Sequence, residues 1–174
     1  MSKRAVSPVI AVILMVAVTV VIAAVISMFV LGLGVGGQAV APQIAVSHEL
    51  VDAGDEKLIA VTLTGGTSVS TDQLYVTASK DVDIGGSPDS GAPANDEYAS
   101  PLEAFTESPD GTSPDEAQVD IGSEWDAGET IYLDPDGDAE EVTVRIYWNT
   151  QPIREINPGN VEGEDSYKIA EFTT

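Results

Sequence analysis

The chain has 174 residues, no cysteine and a formal net charge of −22. That length suffices for one anchored domain but is tight for a second full core, and without cysteine the fold must rest on its core or on its neighbours in an assembly. The carboxylate excess excludes nucleic acid as a partner, since phosphates would be repelled.

The charge is unevenly distributed. All 29 acidic residues lie at or beyond Glu49, whereas the preceding positions carry only Lys3, Arg4 and His48 as titratable side chains. Beyond Arg4, five basic residues face those 29 acids, a formal charge of −24. Such a surface suits concentrated salt, where the Debye length falls to roughly 3 Å and self-repulsion is screened; at low salt it should loosen the fold.

From Val9 to Leu31 runs VIAVILMVAVTVVIAAVISMFVL, 23 residues without a charge, with Thr19 and Ser27 the only polar side chains. A helix of that length spans about 35 Å, more than a hydrocarbon core of roughly 30 Å. Fifteen of its residues are Val, Ile, Leu or Phe; together they favour insertion by about 4 to 9 kcal/mol. Many are β-branched, which disfavours helix in water, but in lipid only a helix satisfies the backbone, and Thr19 and Ser27 can bond back to carbonyls one turn earlier. The run is too long for a secretory signal of about 7 to 15 apolar residues, and no clean small-residue cleavage site follows it. A plain N-terminal anchor would keep Lys3 and Arg4 in the cytoplasm and place the remainder outside.

The four-residue leader ending in Arg4, followed by Ala5 and AVSPVIAVILMV, resembles the class III signal of archaeal type IV pilins. It resembles in particular the pilin N-terminal family of halophilic archaea, whose mature chains begin with close variants of AVSPVIGVILMVAITV. The resemblance implies cleavage between Arg4 and Ala5 by a prepilin peptidase, marking Lys3, Arg4 and Ala5 as the processing site. The helix would then stay on the protein, serving first as membrane anchor and afterwards as filament core, with Pro8, Val9, Ile13, Val16, Val20, Ala24, Phe29 and Leu31 in the packed helix. Removing two cations spares the apolar interior their desolvation cost, and Pro8 falls in the first turn, where its missing N–H does no harm. Small residues such as Ala11, Ala17 and Ala23 favour close helix approach. Bacterial pilins carry Glu at the fifth mature position, and here that position is Val9, so packing rests on apolar contact. By the same resemblance the partners are further copies of the chain, a prepilin peptidase, an assembly ATPase and a membrane platform protein.

After the stem, LGLGVGGQAVAPQ places Gly32, Gly34, Gly36 and Gly37 ahead of Pro42, a combination that weakens helix and reads as a hinge. The expected division is a leader at 1–4, a helix at 5–33, a hinge at 34–43 and an acidic head at 44–174.

In the head the period becomes two. Ile44, Val46, His48 and Leu50 share a face, as do Ile59, Val61 and Leu63, then Leu74, Val76 and Ala78. Val142, Val144, Ile146 and Trp148 alternate with Thr143, Arg145 and Tyr147, and Lys168, Ala170 and Phe172 oppose Tyr167, Ile169 and Glu171. With weaker strands near 117–121 and 129–133, the pattern predicts an α+β chain whose head is an antiparallel β-sandwich. VSHELVDAGDEKL and EWDAGETIYL, with Trp125 and Gly128, also look like turns of the pilin family, although turn chemistry alone favours Gly and Asp there. Residues 81–144 hold 19 acids and no Lys or Arg, and the Pro-, Gly- and Ser-rich stretch near 81–118 reads as a long surface loop.

Candidates for chemistry are few. Asp134, Asp136 and Asp138, with Glu141, form the best cation candidate, but the EF-hand pattern is absent: Gly137 is fourth and Arg145 twelfth, which favours a solvated hairpin loop. The single His48 cannot build a zinc site without cysteine and reads as half-buried and hydrogen bonded. There is no phosphate loop, no Asn-x-Ser/Thr sequon and no carboxylate pair that stands out as acid and base. No cofactor and no enzymatic activity are expected. Three readings follow: a pilin subunit for surface adhesion, a membrane-tethered envelope or binding protein that never polymerises, and an archaellin, which usually differs in its N-terminal sequence.

Overall fold

A computed structural model describes residues 6–35, 40–54, 56–108, 119–154 and 165–174. The chain divides into two units, Met1–Val40 and Ala41–Thr174.

The first unit contains α1 (Val6–Val35), a helix of 30 residues with no acid in its first turn and no base in its last. Its long apolar run leaves the backbone nowhere to bond but within itself, and Thr19 Oγ1 donates to the Val16 carbonyl at 2.8 Å, which satisfies one hydroxyl inside the apolar run. The helix extends to Val35, so Gly32 and Gly34 belong to its last turns. Gly36 and Gly37, the remainder of the expected hinge, lie outside the described residues.

The second unit is built of antiparallel strands: β1 (Ile44–Asp52), β2 (Lys57–Gly66), β3 (Val69–Ser70), β4 (Leu74–Ala78), β5 (Val82–Gly85), β6 (Glu103–Ala104), β7 (Glu124–Trp125), β8 (Thr130–Pro135), β9 (Thr143–Asn149) and β10 (Ser166–Thr173). They form one four-stranded sheet in the order β1-β2-β8-β5, another in the order β10-β9-β4-β6, and a small β3-β7 ladder. Both four-stranded sheets feed one apolar cluster. Ile59, Val61, Leu63, Ile84, Ile131 and Leu133 enter it from the first, and Leu74, Val76, Val144, Ile146 and Trp148 from the second. Burying each large side chain contributes about 1.5 to 3 kcal/mol, and this burial replaces the disulfides the chain lacks.

The alternation read from β9 matches its burial; in β2 and β4 the expected faces enter the core, but Leu58, Ala60 and Tyr75 on the opposite faces are buried as well. Strand β10 departs from it. A bulge between Lys168 and Ala170 turns Ile169 as well as Ala170 and Phe172 against the core, because the extra residue breaks the period of two. Near 117–121, where a strand was expected, Val119 and Ile121 are buried in a turn and the ladder begins later, at Glu124.

Within the expected loop near 81–118, all four residues of β5 are buried, and Val82 and Ile84 lie fully in the core beside Phe105. Strand β6 pairs with β4 through Tyr75–Ala104 and Val76–Glu103. Strands of four and two residues among prolines and glycines are too short for periodicity to reveal. Residues 109–118 of that stretch lie outside the described residues.

Gly85 shows how tightly this region is folded back. A Cβ there would collide with the backbone nitrogen of Ala94, so only glycine admits the returning chain. Gly91 faces open space in the same loop. Gly85→Ala should lower stability by about 2 to 4 kcal/mol, whereas Gly91→Ala should change it by less than about 0.5 kcal/mol. Denaturant titration of the two variants checks this, and equal effects would refute the packing described.

Candidate functional site: an apolar stem and an acidic head

The stem residues are placed by α1 alone. Within Pro8–Met28, a span of 21 residues whose most apolar stretch reaches a mean hydropathy of 3.3, no residue is buried. Val9, Ile13, Val16 and Val20 are each more than half exposed, and Pro8 and Ala24 are exposed as well. Val9, Ile13, Val16, Val20 and Ala24 share one stripe of the helix, but Ile10, Val12, Leu14, Val18 and Val21 on its other sides are exposed apolar residues too, so the stem has no polar side to turn towards water. Phe29 and Leu31 fall within the helix backbone, while Lys3, Arg4 and Ala5 lie outside the described residues.

In the head the chain enters at Ala41, and β1 runs away from that end to the turn at Ala53–Glu56. At this far rim Asp52, Glu56, Asp96, Asp138 and Glu140 surround Lys57 in a cleft of about 440 Å³. Lys57 donates to Glu140 at 3.2 Å, and that bond raises its pKa.

The expected trio of Asp134, Asp136 and Asp138 does not converge. Asp134 is buried, whereas Asp136 and Asp138 are exposed on the β8–β9 turn. Asp138 instead accepts the Glu140 N–H through its carboxylate at 3.0 Å. Asp134 gathers with Glu56 and Asp96, their carboxylate oxygens all within 4.8 Å of one another. These are the residues that could hold a cation, but three carboxylates fall short of the six to eight oxygens calcium takes. Burial, then the nearby Glu56 carboxylate, pushes the Asp134 carboxyl up to about 7. The grouping was not legible in the sequence, because its members lie on three separate turns and strands.

Asp134 also has a structural task. It faces Asp83 across the β5–β8 ladder; Asp83 accepts the Asn95 N–H at 2.6 Å and Asp134 the Asp96 N–H at 3.1 Å. The two carboxyls thereby fasten the returning loop to the sheet by its own amides. His48, expected to be half-buried, is exposed and lies flat on Phe172, ring centroids 4.3 Å apart at 12°. That stack joins the edge strands β1 and β10 of the two sheets.

A family model for the archaeal type IV pilin N-terminus matches residues 4–46. Over those residues the chain is similar to archaeal type IV pilins. The pilin segment covers the whole exposed stem and ends inside β1, so the acidic head lies almost wholly beyond it. No curated protein matches the chain. The match supports a pilin-like structural subunit, and the family is structural rather than enzymatic.

Beyond the pilin segment, the head buries a second carboxyl pair. Glu103 and Glu107 are 1% and 5% exposed. Burial, and then a hydrogen bond to Glu107, push Glu103 up to about 10, so near neutral pH it is a neutral acid. Folding therefore holds a proton that the unfolded chain gives up above about 4.5. Stability from this group is complete below that value and declines as pH rises towards 10. Glu103→Gln keeps the shape without the titration, so its unfolding midpoint should vary less with pH across this window and should be higher near neutral pH. Parallel pH curves for variant and parent would contradict the assignment.

Proposed function

We propose that this protein is the structural subunit of an extracellular type IV pilus-like filament. It is inserted in the membrane as a precursor with its N-terminus in the cytoplasm. Cleavage between Arg4 and Ala5 removes both cations, and the mature chain polymerises by packing its stem against the stems of other copies. The observation that carries this reading is a 30-residue helix whose span Pro8–Met28 is apolar and has no buried residue, in a segment matching the pilin family. Lipid can cover such a surface first and neighbouring helices afterwards, with no new driving force beyond close packing.

The head supports an outward position in brine. It carries all 29 acidic side chains, and its far rim is acidic. Surface adhesion is the use we assign to the filament, with a prepilin peptidase, an assembly ATPase and a membrane platform protein as partners in making it. A halophilic source fits the charge, because molar salt screens the repulsion between heads.

N-terminal sequencing of protein sheared from cells tests the processing step. Ala5 should be the first residue, and Arg4→Ala should leave uncleaved precursor in the membrane without filaments. An intact Lys3–Arg4 leader on sheared filaments would refute it. Val16→Glu places a charge mid-stem at a cost of about 2.5 to 3.5 kcal/mol for membrane insertion. Filament yield should fall at least tenfold while the head keeps its unfolding midpoint, and normal yield would contradict stem packing.

A further inference from the structure

The outer face of β9 and β10 differs electrostatically from the rest of the head. Arg145 on β9 and Lys168 on β10 both bind Glu171, Arg145 through Nε at 3.1 Å. All three side chains remain more than a third exposed, at 36%, 44% and 38%. Among the described residues, their ladder neighbours on that side are uncharged: Thr143 and Tyr147 on β9, Thr77 on β4, and Thr173. Two cations to one anion make this patch locally positive within a chain of net charge −22. The far rim has the opposite balance, with five acids around Lys57.

We propose that the outer face of β9 and β10 is a contact surface for a second copy of this chain, whose acidic rim docks against Arg145 and Lys168. The proposal rests on the filament reading above and adds the surface through which heads meet. Two unlike patches on one molecule make a head-to-tail contact, which repeats along an assembly instead of closing a pair. In concentrated salt the Debye length of roughly 3 Å removes the general repulsion between heads. Ion pairs at direct contact, shielded by the two surfaces, survive and set the register.

The absence of cysteine gives a clean test. Full-length chains carrying both Glu56→Cys and Lys168→Cys, assembled and treated with a short bismaleimide, should yield a ladder of covalent oligomers. A pair using exposed Ser123→Cys in place of Lys168→Cys should not. Intact filaments with no ladder, or an equal ladder from the control pair, would overturn the contact. If no filaments form even from the parent chain, the filament reading fails, and that result is distinct from the first.

Charge reversal gives a second readout. Arg145→Glu with Lys168→Glu should reduce filament yield severalfold, and Asp52→Lys with Glu56→Lys should restore it. Parental yield from the reversed variant would refute the proposal. So would normal filaments that lose only their attachment to an anionic surface, which would assign the patch to a foreign partner.

Discussion

The constraint on which this protein depends is the apolar surface of α1. Across Pro8–Met28 every residue is exposed, and no side of the helix is polar. Water is the wrong solvent for such a helix, at about 25 cal/mol for each Å² left exposed. The stem must therefore be enclosed by lipid or by other helices at every stage. The leader cations matter for the same reason, since charges tolerated at a membrane boundary are costly in a packed apolar interior.

The head answers a different solvent. Its core is assembled from both four-stranded sheets, and its surface leaves five cations to offset 29 acids. Even so, Asp83, Glu103, Glu107 and Asp134 are buried. Asp83 and Asp134 are retained for a geometric purpose, holding backbone N–H groups of the loop that closes over β5 and β8. Glu103 avoids the cost of a buried charge by keeping its proton.

How much could be read in advance followed from the length scale of each signal. The stem was legible because a long uncharged run has one physical solution, and the family resemblance lay in the same residues. Strands β2 and β9 were legible because ten and seven residues give periodicity room to show. Strand β5 was hidden by its four residues, and the bulge in β10 shifted a pattern that was otherwise correct. The acidic sites were the least legible. Asp134 was visible as part of an Asp-rich turn, but its partners Glu56 and Asp96 are brought to it only by tertiary folding. His48 alternated with apolar residues as an interior side chain would, yet β1 is an edge strand, so the ring lies exposed on Phe172.

The most direct measurement concerns the surroundings of the stem before and after assembly. A spin label at Val16→Cys can be probed with dissolved oxygen, which partitions into lipid, and with a water-soluble nickel complex. In the membrane-held precursor the label should be relaxed by oxygen, and in filaments it should be shielded from both agents. Undiminished oxygen access in the mature, assembled protein would show that the stem never leaves lipid, and would contradict the account.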